Sequence, residues 1–292
     1  MQKHTSDRRS AFTLIEIMVA AVITVIMIGL VIQITSEVLK IWNRSVGKLS
    51  ANAEARIAME LLTTDLETAM LFNNGQQWLR VETETEVGNP IVGQTVGLKL
   101  FTPALDRPDG PGNICAVAYR LAYAPAYSGA NNDSFVLFRN LKGPRDTFDE
   151  LLGPSTATPD VQKELVEAND AFWGDSSITQ PDNYLAGNIV DFKIYIYGID
   201  ESTGNEIILN DTDEDGELDQ DFIYGGTGSS DELPTSAEIF LTVVSDEGLE
   251  ILALFADTQI GGAGTGYEDV DEVIRQHGEV FKRRVHFQAR PL

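Results

Sequence analysis

The feature that most limits what this chain can fold into is a mostly apolar run of 23 residues, Phe12 to Ile34, within RRSAFTLIEIMVAAVITVIMIGLVIQIT. About 20 apolar residues in a helix cross the ~30 Å hydrocarbon core of a bilayer. A secretory signal has a shorter apolar core, of roughly 7–15 residues, and a small-residue cleavage site behind it. No such site closes this run, so it reads as a membrane helix that is kept. Lys3, Arg8 and Arg9 precede it, opposed only by Asp7. The positive-inside rule then puts the short head in the cytoplasm and everything after residue 34 on the far side.

Glu16 interrupts the run near its start. A carboxylate in hydrocarbon costs roughly 2.5–3.5 kcal/mol on insertion scales, and such acids need partners. The run contains no cationic side chain. A cut just before Phe12 would supply a cation, a free α-amino group at the membrane surface. That amine on one subunit could pair with Glu16 of its neighbour. The bland reading is a signal anchor with a chance acid.

The basic leader followed by FTLIEIMVAAVI resembles the class III signal of type IV pilins and type II secretion pseudopilins. The resemblance implies that a prepilin peptidase cuts between Ala11 and Phe12 and methylates the new amine. It also makes Glu16 the family's assembly glutamate. The residue before the cut is normally Gly in that family, and here it is Ala11.

Beyond the run, Val38, Trp42, Val46, Leu49, Ala53, Ile57, Leu61 and Leu66 recur at mostly three or four residues, one face of a helix. No proline falls between residues 12 and 72. The pattern predicts one helix of about 60 residues, ~90 Å long, lipid-embedded first and amphipathic later. A separate helix or coiled coil over 38–70 is the alternative. Gly47 is a soft spot, since Gly weakens a helix by roughly 1 kcal/mol. Asn73, Asn74 and Gly75 are expected to end it. Strands follow at 77–87, 96–103, 114–124 and 134–141, spaced as an antiparallel meander. Further strands are expected at 188–200, 237–246, 250–257 and 280–290. Residues 142–185 are rich in Pro, Gly, Asp, Ser and Thr and read as a surface insertion with a short helix capped by Thr158. The expected fold is α+β: a long N-terminal helix, transmembrane then amphipathic, packed on an antiparallel β-sheet domain. The parts are a cleaved leader at 1–11, a membrane helix at 12–34, its extension at 35–72 and an exported domain at 73–292.

This order is the pilin order. RIAMELLTTDLETAM and LPTSAEIFLTVVSDEGLEIL are similar to the J-type minor pseudopilins, and the first also to pilus proteins of the W type. The second also resembles prepilin-type proteins from multi-gene cassettes of Verrucomicrobia. The resemblance implies a minor pilin or pseudopilin subunit, held in the inner membrane with its domain in the periplasm. An assembly platform would extract it from lipid, and other pilins would rebury its apolar helix in a filament. The alternative is a membrane-anchored exported module that binds cargo or a surface through its β domain.

NDTDEDGELDQDF, residues 210–222, is the other stretch with chemistry. Alternating carboxylates around a Gly turn can wrap a hard cation that takes six to eight oxygens. Position twelve counted from Asp211 is Phe222, so it is not an EF-hand loop. It looks more like the D-x-D-x-D-G-x-x-D loops of calcium-stapled repeats. Asp211, Asp213, Asp215, Asp219 and Asp221 would be calcium ligands there, with a carbonyl from Glu217. A solvated acidic hairpin is the alternative. The net charge of −24 argues against nucleic acid as a partner. The chain has one cysteine, Cys115, so no internal disulfide forms; its apolar neighbours place it in a buried strand. No G-x-S-x-G, H-E-x-x-H or Walker loop is present, and enzymatic activity is not expected.

Overall fold

The computed structural model describes residues 13–84, 95–103, 112–129, 133–152, 174–200, 202–211, 217–226, 230, 232–256 and 266–288. The chain divides into two compact units, Met1–Val46 and Gly47–Leu292. Helix α1 (Leu14–Glu67) supplies residues to both.

In the first unit, every residue from Thr13 to Trp42 is exposed. In the second unit, α1 buries Ala51, Ala55, Ala58, Met59, Leu62 and Leu66. Of the face expected from the sequence, only Leu66 is buried. Leu49 (70 % exposed) and Ile57 (59 %) point outward, as do Val38, Trp42 and Val46 of the first unit. The segment carries two apolar stripes. Larger Leu and Ile side chains dominate a hydropathy reading, but the alanine stripe lets the helix backbone come close to strands.

Helix α1 stops at Glu67, short of the Asn-Asn-Gly stop that the sequence suggested. The Thr68 N–H and hydroxyl both donate to the Thr64 carbonyl (3.1 and 2.8 Å), the last such bond of the helix. The Met70 N–H then donates to the Phe101 carbonyl (2.8 Å), so the chain has joined the sheet before Asn73.

The strands form two antiparallel sheets. β1 (Leu79–Glu84), β2 (Thr95–Pro103), β3 (Ile114–Pro125) and β4 (Asp133–Lys142) make the antiparallel meander, with Leu79 opposite Leu100 and Leu98 opposite Tyr119. β5 (Tyr184–Gly187) and β8 (Phe222–Tyr224) complete a six-stranded sheet, in the order β5-β4-β3-β2-β1-β8. β6 (Ile189–Ile199), β7 (Glu206–Ile208), β9 (Pro234–Val244) and β10 (Gly278–His286) form a second sheet, in the order β10-β9-β6-β7. The main core joins the alanine face of α1 to Leu79, Leu98 and Tyr119 of the first sheet and to Phe192, Ile239 and Val285 of the second.

The 142–185 segment is more than a surface insertion. Its described helical turns, Pro144–Asp146 and Thr147–Leu152, bury Leu151 and Leu152 in a second cluster with Phe101, Val136 and Phe138 of the first sheet. Thr147 Oγ1 accepts the Ala116 N–H of β3 at 3.0 Å. Thr158 and the helix expected after it lie outside the described residues.

Of the stretch 250–257, expected as a strand, residues 250–256 belong to helix α2 (Asp246–Ala256). Ser245 Oγ accepts the Gly248 N–H (3.3 Å), and Asp246 and Glu247 place acids in the first turn. Leu252 is fully buried in a third cluster with Val244 and Val273, and Leu249 and Phe255 pack against it. Apolar residues three apart were the helical sign. Helix α3 (Val270–His277) follows, capped by Asp269, whose carboxylate accepts the Glu272 N–H at 2.7 Å. Cys115 is buried in β3, and Trp78 packs edge-on against Phe72 and Phe101.

Candidate functional site

At the start of α1, Thr13 and Glu16 form a capping box. The Glu16 carboxylate accepts the Thr13 N–H at 2.8 Å and the Thr13 hydroxyl at 2.9 Å. The Glu16 N–H reaches back to Thr13 Oγ1 at 3.4 Å. A helix start leaves N–H groups without intrahelical acceptors, and this pattern satisfies them reciprocally. The carboxylate therefore has a neutral partner, Thr13, at the start of its own helix. The signal, Thr-x-x-Glu ahead of an apolar run, was in the sequence. Both donors are neutral, so they stabilise the acid without cancelling its charge. Ala11 and Phe12 lie outside the described residues.

Around Glu16 the helix is apolar and uncovered. Leu14, Ile15, Ile17, Met18 and Val19 are all exposed, and α1 is long and apolar enough to cross a membrane. Such a surface is costly in water and neutral in lipid or against another apolar helix.

In the second unit, polar contacts tie α1 to the sheets. Asp65 receives the Tyr119 hydroxyl at 2.5 Å and the Arg139 guanidinium at 2.9 Å. Arg139 Nε also donates to Tyr119 Oη at 2.9 Å. Burial pushes the Tyr119 hydroxyl far above its ordinary pKa, and the charge on Asp65 pushes it further. Burial alone would make Arg139 easier to deprotonate, but the oxygens of Tyr119 and Asp65 outweigh it and hold the proton. Glu54 accepts the Tyr184 hydroxyl (2.7 Å) and the Gly187 N–H (2.9 Å) of β5. Asn52 donates to Glu279 (2.6 Å) and Arg283 pairs with Glu60 (2.7 Å), both joining α1 to β10. These contacts link residues far apart in the chain, and no local pattern announced them.

The acidic loop carries the chain from β7 in one sheet to β8 in the other. Its ends are fixed. Buried Asn210 accepts the Ile196 N–H at 2.9 Å and donates to the Ile194 carbonyl at 2.8 Å. Asp221 accepts the Thr83 N–H of β1 at 2.7 Å. Asp211 is buried, and Glu217, Asp219 and Asp221 are exposed. Asp213 and Asp215 lie outside the described residues. Among the described residues, no three His, Cys, Asp or Glu side chains are placed together to hold a metal ion.

Residues 6–32 match the family model described as the prokaryotic N-terminal methylation motif. By that match, the start of this chain carries a prokaryotic N-terminal methylation motif. The match covers residues 6–11 ahead of the helix, the Thr13–Glu16 capping box and most of the apolar run. A comparison with curated proteins finds no match. Among solved structures, the chain is similar to a type IV-like pilin from Thermus thermophilus, at 8 % identity and a TM-score of 0.36, over 81 % of this chain and 95 % of that one.

Proposed function

We propose that this pilin-like chain is a minor pilin or pseudopilin, a subunit that enters a type II secretion pseudopilus or a type IV pilus-like filament through α1. The observation that carries the reading is Glu16: an acid on an uncovered apolar helix, met by the neutral donors of Thr13 alone among the described residues. Prepilin peptidase would cut between Ala11 and Phe12 and methylate the Phe12 amine. The amine of one protomer would then neutralise Glu16 of the next. A buried charge tolerates few geometries, so the pair would set axial register between subunits. The exposed side chains of α1 would pass from lipid to neighbouring pilin helices as an inner-membrane platform extracts the chain. A domain this large suits a minor subunit better than an abundant one, and it would lie in the periplasm before assembly.

Mass spectrometry of the purified N-terminus is expected to find methylated Phe12. An intact Met1 in a host with an active peptidase would reject the reading in favour of a plain membrane anchor. Glu16→Leu is expected to keep the chain in the membrane and to reduce its incorporation into filaments at least roughly tenfold, since losing a buried ion pair costs several kcal/mol. Normal incorporation of that variant would overturn the role given to Glu16.

A further inference from the structure

Strand β10 closes one side of the four-stranded sheet with nine residues. The other sheet edges are shorter: β5 has four residues, and β7 and β8 have three each. On β5, Glu54 already takes the Gly187 N–H.

The ladder to β9 fixes which backbone groups of β10 face outward. Pairing runs from Gly278 opposite Val244 to His286 opposite Ser236. At one end the Ser245 N–H donates to the His277 carbonyl (3.1 Å), and at the other the Phe287 N–H donates to the Thr235 carbonyl (3.1 Å). Both bonds place the hydrogen-bonded pairs at the odd-numbered residues of β10. Antiparallel alternation then turns the N–H and C=O groups of Val280, Lys282, Arg284 and His286 away from β9. Gly278 also faces outward, but its N–H donates to the Ile274 carbonyl at the end of α3. The other four residues have no backbone partner on that side among the described residues.

The charge on this edge is unlike that of the rest of the chain. Lys282, Arg283 and Arg284 are the only three adjacent cations in a sequence with 45 acids and 21 Lys and Arg. Lys282 pairs with Glu238 (3.0 Å), Arg283 with Glu60 (2.7 Å) and Arg284 with Glu206. Lys282 keeps 55 % of its side chain exposed and Arg283 43 %. A lysine has three donors and an arginine five, so each cation retains donors beyond its present partner.

We propose that β10 is a docking edge for an extended acidic strand of another polypeptide. The incoming backbone would bond to Val280, Lys282, Arg284 and His286, and the carboxylates on one face of the incoming strand would lie against Lys282 and Arg284, which share a face of β10. Strand addition to a sheet edge takes affinity from main-chain hydrogen bonds and specificity from alternate side chains. Cations on an edge discourage neutral or basic strands. A second copy of β10 is also disfavoured: antiparallel pairing centred on Lys282 sets that lysine opposite its own copy, and like charges directly opposite are destabilising. This inference stands apart from assembly through α1, and either can fail without the other.

The test uses the full chain in detergent micelles and a fluorescent peptide of alternating Thr and Glu. Anisotropy is expected to show binding that rising salt weakens. Methylating alternate backbone nitrogens of the peptide is expected to weaken binding at least about tenfold, the signature of strand addition rather than charge attraction. Val280→Pro removes an outward N–H without touching the ladder to β9, and a comparable loss is expected with an unchanged melting temperature. The methylated peptide on the unaltered chain keeps the test independent of how that variant folds. No binding, equal binding of the methylated peptide, or equal binding of a Thr-Lys peptide would overturn the proposal. So would a dimer of the chain that Val280→Pro abolishes, because the occupant would then be a second copy.

Discussion

Asp65 shows how one residue decides where a helix sits. It lies on α1 near its end and meets Tyr119 and Arg139, both on the first sheet. Removing one partner of a buried ion pair leaves the other charge uncompensated. Asp65→Ala is therefore expected to cost about 3 kcal/mol, read as a lower denaturant midpoint at unchanged slope. Tyr119→Phe removes a hydrogen bond but no charge and is expected to cost about 1 kcal/mol. Equal effects of the two variants would show that the ionic contact contributes little.

Among the elements, the helical turns at 144–152 carry a core that composition hid. Leu151 is almost fully buried against the outer side of the first sheet. Leu151→Ala is expected to cost roughly 2–4 kcal/mol through the cavity it leaves. Deleting all of 142–185 would take Leu151, Leu152 and Ile178 from that core and half of β5, so it is expected to destabilise the domain as well as remove the segment. Calcium capture by the 210–222 loop is a proposal that rests on the alternation of Asp211, Asp213 and Asp215 before Gly216. Asp221 already serves the Thr83 N–H. Calorimetric titration is expected to give binding heat that Asp213→Asn together with Asp215→Asn abolishes. No heat with the unaltered chain would leave an acidic crossover pinned only at its ends.

For the whole molecule, acid has two effects of the same sign over the mildly acidic range. A net charge of −24 repels itself, and partial protonation relieves that repulsion. Asp191, half-buried in β6, has its pKa raised by burial, with Lys193 and Thr242 opposing only in part. Its folded pKa exceeds its unfolded one, so the native state binds that proton more tightly. Stability from this group falls as pH rises through the folded pKa, and the full cost is present near neutrality. Asp191→Asn can keep the Thr242 contact without the charge. It is expected to raise the melting temperature near neutral pH and to make no difference in strong acid. A lower melting temperature near neutrality would mean that the carboxylate stabilises the sheet there.

The membrane-length helix, the Thr13–Glu16 box and the β1–β4 meander were legible in the sequence because each depends on residues close together. Hydropathy over a window, a cap at three residues and alternation between turns are local quantities. The helical α2 was legible too, in Ser245 and the spacing of Leu249, Leu252 and Phe255, but apolar runs this short also fit a strand. Tertiary structure alone decided which stripe of α1 is buried, since Ala55 and Ile57 both fit an apolar face and only the sheets select the small side chains. It alone divided the strands, setting Tyr224 opposite Leu79 and leaving β10 at an edge. Those choices rest on pairings between distant residues, whose free energy appears only when the whole domain closes on its core.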